Sequence, residues 1–222
     1  PVDAIIFDLE DAVAADQKTN ARALLAETLR TRNYGARATL VRVNALDSEW
    51  GRDDVAAFVA TEIDGVILPK VNSASDIQAL ADMIPDVAIW AMMESALGVM
   101  NAAAIAAHPR VAGFVLGTND LAKELTCREG ADRGPLMTSL QLCLLAARAH
   151  GIICVDGVYN AFRDDAGLRA EARQGRDMGF DGKTLIHPAQ IAITNEEFSP
   201  TDDEIDLANR QIAAYRAAKA AG

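Results

Sequence analysis

The sequence predicts an α/β fold of the (β/α)₈ barrel type, and three observations carry that prediction. Short runs of Val, Ile, Leu and Phe recur with helix-length stretches between them; several runs are apolar almost throughout; and one run after another ends in a charged or hydrogen-bonding residue. The C-terminal strand ends of such a barrel converge on one mouth, where its chemistry is done, whereas a doubly wound sheet gathers its ligand groups at a switch point. Many polar strand ends therefore favour the closed barrel.

The first candidate strand, residues 3–10, ends DLE, and a helix over 18–32 follows it. Strands over 38–44 (ATLVRVN) and 64–70 (DGVILPK) come next, then a helix over 75–83 with Ser75 as its N-cap. The strand over 87–94 finishes in Glu94, a helix spans 96–107, and the strand over 112–120 runs into Thr118, Asn119 and Asp120. Helices over 135–150 and 165–178 flank a strand over 151–158 that carries Asp156; the last strand spans 180–188. A closing helix starts at Asp203, with Thr201 and Glu204 spaced as a capping box. Seven strands are found where eight are needed. Either one is cryptic or an earlier strand lies upstream of Pro1, and residues 1–222 are expected to form one barrel domain.

Composition excludes several function classes. With 222 residues, half of them hydrophobic, the chain can bury a sizeable core, so disorder is a poor reading. A formal charge of -11 repels nucleic acid and anionic membranes, so neither is an expected partner. Cys127, Cys143 and Cys154 form no C-x-x-C pair, as expected of free thiols in the cytoplasm, and no apolar run is long enough to span a bilayer. Neither a Walker nor a dinucleotide-binding glycine motif occurs.

Glu94 and Asp120 each close a strand that is otherwise apolar, where an unpaired carboxylate is costly to bury. Either they share a magnesium ion, which takes carboxylate and water oxygens, or they pair with Arg42 or Lys70 in an ion network. Arg42 is the best anion receptor, with Asn44 beside it; its partner is either substrate or one of Glu10 and Asp11. Strand alternation places Asp8 and Glu10 on one face and leaves Asp11 to open the loop. Asp156 is either a site carboxylate or a loop cap. His108 and His150 are expected to be structural, and His187 either reaches the mouth or fixes its own turn.

Taken in order, DLEDAV, VRVN, LPK, MESALGV, LGTNDLAKEL, VDGVY and GFDGKTLIHPAQI resemble the HpcH/HpaI aldolase and citrate lyase β-subunit superfamily, most closely its citrate-lyase-like branch. The resemblance implies a barrel with magnesium at its mouth, held by Glu94 and Asp120. It places Arg42 on the arginine that binds the substrate's carboxylate or keto-acid part, Glu10 and Asp11 on the acidic pair beneath the metal, and Lys70 on the L-P-K lysine. Asn44, Gly117, Thr118 and Asn119 would complete the substrate side. The implied activity is carbon–carbon cleavage or formation in a hydroxyacyl-CoA of the malyl, citramalyl or citryl type, in a homotrimer or hexamer. An aldolase acting on free 2-oxo acids, a thioesterase, and a non-catalytic acyl-CoA-binding subunit are the alternatives. Family chains usually begin with a strand carrying an R-S-x-L-F-x-P-G-like motif and often continue into a C-terminal lid; neither pattern occurs in these 222 residues.

Overall fold

The computed structural model describes residues 2–128, 130 and 132–221. Its elements run β1 (Ala4–Asp8), α1 (Lys18–Thr31), β2 (Ala38–Arg42), α2 (Gly51–Phe58), β3 (Gly65–Leu68), α3 (Ala74–Met83), β4 (Ala88–Met93), α4 (Ala96–Met100), α5 (Ala102–Ala106), β5 (Val111–Leu116), α6 (Thr118–Glu124), α7 (Met137–His150), β6 (Ile153–Asp156), α8 (Asp165–Met178), β7 (Gly182–Lys183), α9 (Gln190–Phe198) and α10 (Asp202–Ala221).

All seven strands pair in parallel and in chain order, β1 through β7, with no reversal. A parallel sheet without a switch point carries its helical crossovers on one face, because such crossovers share one hand, and its other face turns inward. The side chains show this division. Val41, Val66, Leu68, Ile89, Phe114 and Cys154 belong to the large core shared with the helices. Leu40, Ile67, Met92 and Val115, with Ile6 and Trp90, form a second, smaller cluster. Along β1 to β5 the two sets alternate, so the smaller cluster is the sheet's concave interior. β1 and β7 are its two edges among the described residues.

Several expected boundaries move for local reasons. The strand expected over 112–120 ends at Leu116, and Thr118 already starts α6. The one expected over 180–188 is reduced to Gly182–Lys183. Ser73, not Ser75, caps α3, because the Asp76 carboxylate accepts from the backbone N–H groups of Asn72 and Ser73. The helix expected over 96–107 breaks in two at Asn101, whose amide donates to Asn72 O. Thr201 and Glu204 do form the expected reciprocal cap of α10. Among the described residues no helix is long and apolar enough to cross a membrane.

Candidate active site

Alternation sends Asp8, Glu10, Arg42 and Glu94 to the concave face, at or just past the C-terminal ends of β1, β2 and β4. Parallel register places Asp8 opposite Arg42. Arg42 spends its Nε/Nη2 edge on Asp8, donating to Oδ1 at 2.7 Å and to Oδ2. Its Nη1 lies 2.9 Å from Glu10 Oε2 and 3.6 Å from Asp11 Oδ2, above the Met92 sulfur. The sequence named Glu10 and Asp11 as candidate partners of Arg42; the principal partner is Asp8, with Glu10 and Asp11 on the remaining edge.

The acids of this cluster differ in electrostatic state. Burial works against the Asp8 carboxylate, but the hydrogen bond and charge of Arg42 outweigh it and hold Asp8 below the usual carboxylate range. Burial raises Glu10, and Asp11 adds to that against the opposing pull of Arg42 and Lys70. Glu94 is pushed furthest, to about 7: burial is the main cause, and Glu10 and Asp120 reinforce it against a hydrogen bond from the Lys70 backbone and the charge of Arg42. Glu10 Oε2 is buried, in ion contact with Arg42 but without a hydrogen bond. The mouth therefore holds more negative charge than Arg42 and Lys70 neutralise.

Lys70 follows β3 with φ +53°, a left-handed conformation uncommon for a residue with a Cβ. That conformation turns its N–H onto Glu94 Oε1 at 2.7 Å while its half-exposed ammonium reaches Glu10 Oε1 at 3.4 Å. Asp120 sits in the first turn of α6, half-buried and within electrostatic reach of Glu94 and Lys70. Gly117 makes room for Glu94: a Cβ there would stand 2.4 Å from Glu94 Cβ. Thr118 is buried, and Asn119 exchanges two amide hydrogen bonds with Asn160, at 3.2 and 2.7 Å.

Two candidates have other occupations. Asn44 is 3% exposed, and its amide donates to Leu9 O and to the Asp54 carboxylate, so it braces the backbone behind the mouth. Asp156 shares the helix-facing side of β6 with Cys154; Arg133 Nη1 donates to both its oxygens at 2.8 and 2.9 Å, and Lys183 Nζ donates at 3.2 Å. It is fully buried beside α8, where a Cβ on Gly175 would come within 2.8 Å of Oδ2. Asp156→Ala is expected to lower unfolding free energy by about 3–5 kcal/mol, because two buried cations lose a partner. A urea titration reads this; a loss below about 1 kcal/mol would show that the network does not hold β6, β7 and α8 together.

His187 is exposed, accepts from Ala189 N through Nδ1 and stacks on Phe162, so it fixes its own turn. His108 likewise accepts from Arg110 N. The three cysteines are free thiols, with Cys143 and Cys154 buried. Sequence reasoning did not single out Asp8 as the partner of Arg42, and gave Lys18, which lies beneath Glu10, no part beyond opening a helix. The only signal for Asp8 was its parity with Glu10.

A magnesium site fits these residues. Asp120, in the first turn of α6, adds to the burial that raises Glu94, and Glu10 Oε2 lacks a hydrogen-bond donor. Magnesium needs only one or two carboxylates, with water and substrate oxygens completing its shell.

Fold and site together define a parallel α/β barrel-type protein with an acidic, arginine-containing mouth at its C-terminal strand ends. The model of the HpcH/HpaI aldolase/citrate lyase family matches residues 1–188, and the chain belongs to that family. It is 67% identical over 220 residues to a (3S)-malyl-CoA thioesterase of Cereibacter sphaeroides (strain ATCC 17025 / ATH 2.4.3), covering 99% of this chain and 77% of the relative. It is 37% identical over 234 residues to the citrate lyase subunit beta of Escherichia coli (strain K12), covering 100% and 78%. Among solved structures, CitE of Mycobacterium tuberculosis in complex with magnesium, acetoacetate and coenzyme A superposes with a TM-score of 0.85 at 34% identity, over 97% of this chain and 80% of that one.

Proposed function

We propose that the chain is a magnesium-dependent enzyme acting on a hydroxyacyl-CoA of the (3S)-malyl-CoA type, with hydrolysis of the thioester as its reaction. The observation that carries the reading is the uncompensated carboxylate cluster at the strand ends beside Arg42 and Lys70. The 67% likeness to a (3S)-malyl-CoA thioesterase supports the substrate class.

In this reading Glu94 and Asp120 hold magnesium, which when bound polarises the oxygens of the substrate's hydroxyacyl part. Arg42, locked against Asp8, offers its Nη1 edge to the free carboxylate of the malyl group, displacing Glu10 from that contact. Lys70 adds a cation at the open rim. Glu10, raised by burial and already close to Lys70, accepts a proton from the attacking water. The water oxygen bonds to the thioester carbon, the C–S bond breaks, and the departing thiolate takes up a proton. Asp11, exposed at the loop, supplies charge that keeps Glu10 basic. Gly117, Thr118 and Asn119 form the wall from which Asp120 projects.

Carbon–carbon cleavage of the same ester is the second reading, supported by the citrate lyase relative and by the structural neighbour that holds acetoacetate with coenzyme A. The two separate by product. Incubation of the purified chain with (3S)-malyl-CoA, with magnesium or with EDTA, is expected to release free CoA thiol only in magnesium and without glyoxylate. Glyoxylate release would establish the lyase instead, and no product in either condition would overturn both. The reading also includes an eighth strand closing the sheet between β1 and β7 in a single barrel domain, a cytoplasmic location, and a trimer or hexamer, which light scattering reads.

A further inference from the structure

Lys18 opens α1, where the helix dipole disfavours a cation, and it is 7% exposed. Among the described residues no carboxylate lies within ion-pair distance of its ammonium. Its Nζ instead donates to Leu9 O at 3.0 Å and Glu10 O at 2.9 Å, and sits 5.0 Å from the centre of the Trp50 ring. A buried ammonium satisfied by two carbonyls and an aromatic face costs stability compared with an apolar residue of its size. The two carbonyls it grips belong to the turn that leaves β1. Within that turn Asp8 accepts from the N–H groups of Glu10 and Ala12, Val13 N donates to Glu10 O, and the Asn44 amide shares Leu9 O with Lys18.

We infer that Lys18 is a positioning residue: by holding the Leu9 and Glu10 carbonyls on the helix side of the chain, it turns the Glu10 carboxylate into the mouth, against Arg42 and Lys70. The geometry follows from the strand's pleat. Leu9 packs outward in the core and Glu10 inward at 6% exposure; the last backbone bond from this segment to β2 is Leu9 N to Arg42 O at 2.9 Å, and beyond it no ladder bond holds Glu10. Lys18 supplies the missing constraint from behind, as Asp8 does from within the turn. Its charge also faces the same acidic segment without entering the mouth, so substrate does not compete for it.

The catalytic readout of this inference rests on the thioester reading above; its structural readout does not. Lys18→Met keeps the stem and removes the donors, and Lys18→Arg keeps charge and donors. Lys18→Met is expected to lower kcat about 10–100-fold with KM changed less than threefold, a scale typical of residues that orient a site group. Lys18→Arg is expected to fall closer to the parent enzyme. In a double-mutant cycle, Lys18→Met added to Glu10→Gln is expected to cost less than threefold more, because its effect passes through Glu10. A crystal structure of Lys18→Met is expected to show the Glu10 carboxylate away from Arg42 and Lys70. Should Lys18→Met not fold, Lys18→Gln, which keeps a single amide donor group, takes its place in each comparison. An unmoved Glu10 carboxylate, or penalties that multiply in the cycle, would overturn the inference. If the parent chain turns over no malyl thioester, the thioester reading fails and the crystal structure alone decides the role of Lys18.

Discussion

Glu94→Gln is expected to abolish magnesium-dependent turnover, with a loss of at least about 10³-fold in kcat/KM, and to remove magnesium binding measured by calorimetry. The amide preserves shape and still accepts from Lys70 N, so the loss isolates the charge. The same substitution has an opposite effect on stability. In the metal-free protein the folded state keeps Glu94 protonated up to about 7, whereas the unfolded chain releases that proton near 4.5. Between those values the folded state binds more protons than the unfolded one, so this group makes stability fall as pH rises. Above about 7 the full cost is present, on the order of 3 kcal/mol. Gln carries no such cost. In EDTA the melting temperature of Glu94→Gln should exceed that of the parent at pH 8 and match it near pH 4.5. Magnesium should raise the parent's melting temperature and leave the variant's unchanged. A variant that binds magnesium normally, or a pH-independent difference in melting, would sink the assignment of Glu94.

The barrel-type order of strands was legible because parallel strands buried on both faces read as short apolar runs; six of the seven lie within the spans that the runs marked, and β5 starts one residue early, at Val111. The inward acids were legible from parity alone: Glu94 follows directly on β4 with the parity of Met92, and Glu10 lies two residues past β1 with the parity of Ile6 and Asp8. Partners were less so. Arg42 meets Asp8 through the lateral register of β1 and β2, and register depends on crossover length and packing that no local pattern encodes. Asn44 reads like a second ligand of the mouth because V-R-V-N alternates perfectly, yet its amide is claimed by Asp54, which belongs to the unexpected helix α2. Lys18 entered only as the start of a helix; its contact with two carbonyls in the preceding turn has no local sequence signal. The strand expected over 112–120 failed at one residue. Gly117 ends pairing so that Thr118 can begin a helix, and the sequence gives a glycine there no distinction from any other.

That glycine carries the other large effect. Gly117→Ala is expected to lower kcat on the order of 10²-fold and to weaken magnesium about 10–100-fold, although alanine is chemically silent. The backbone does not resist it: Gly117 has φ -91°, which alanine adopts freely. The obstacle is Glu94, whose Cβ and Oε2 would lie 2.4 and 2.6 Å from the new methyl. A rotation of the Glu94 side chain relieves the second contact and cannot relieve the first, since Cβ moves only with the β4 backbone. The turn between β5 and α6 must therefore separate from the end of β4, against the bond from Gly117 N to Met93 O at 3.1 Å. Overpacking of this kind costs about 1–3 kcal/mol of stability, enough to lower the melting temperature without unfolding the chain. The displacement falls between the two carboxylates assigned to one ion, because Glu94 ends β4 and Asp120 lies one turn beyond Gly117. Calorimetric titration with magnesium and the melting temperature in EDTA read the two parts separately. A Gly117→Ala protein with parental magnesium affinity would mean that Glu94 and Asp120 do not share a ligand, whatever its stability.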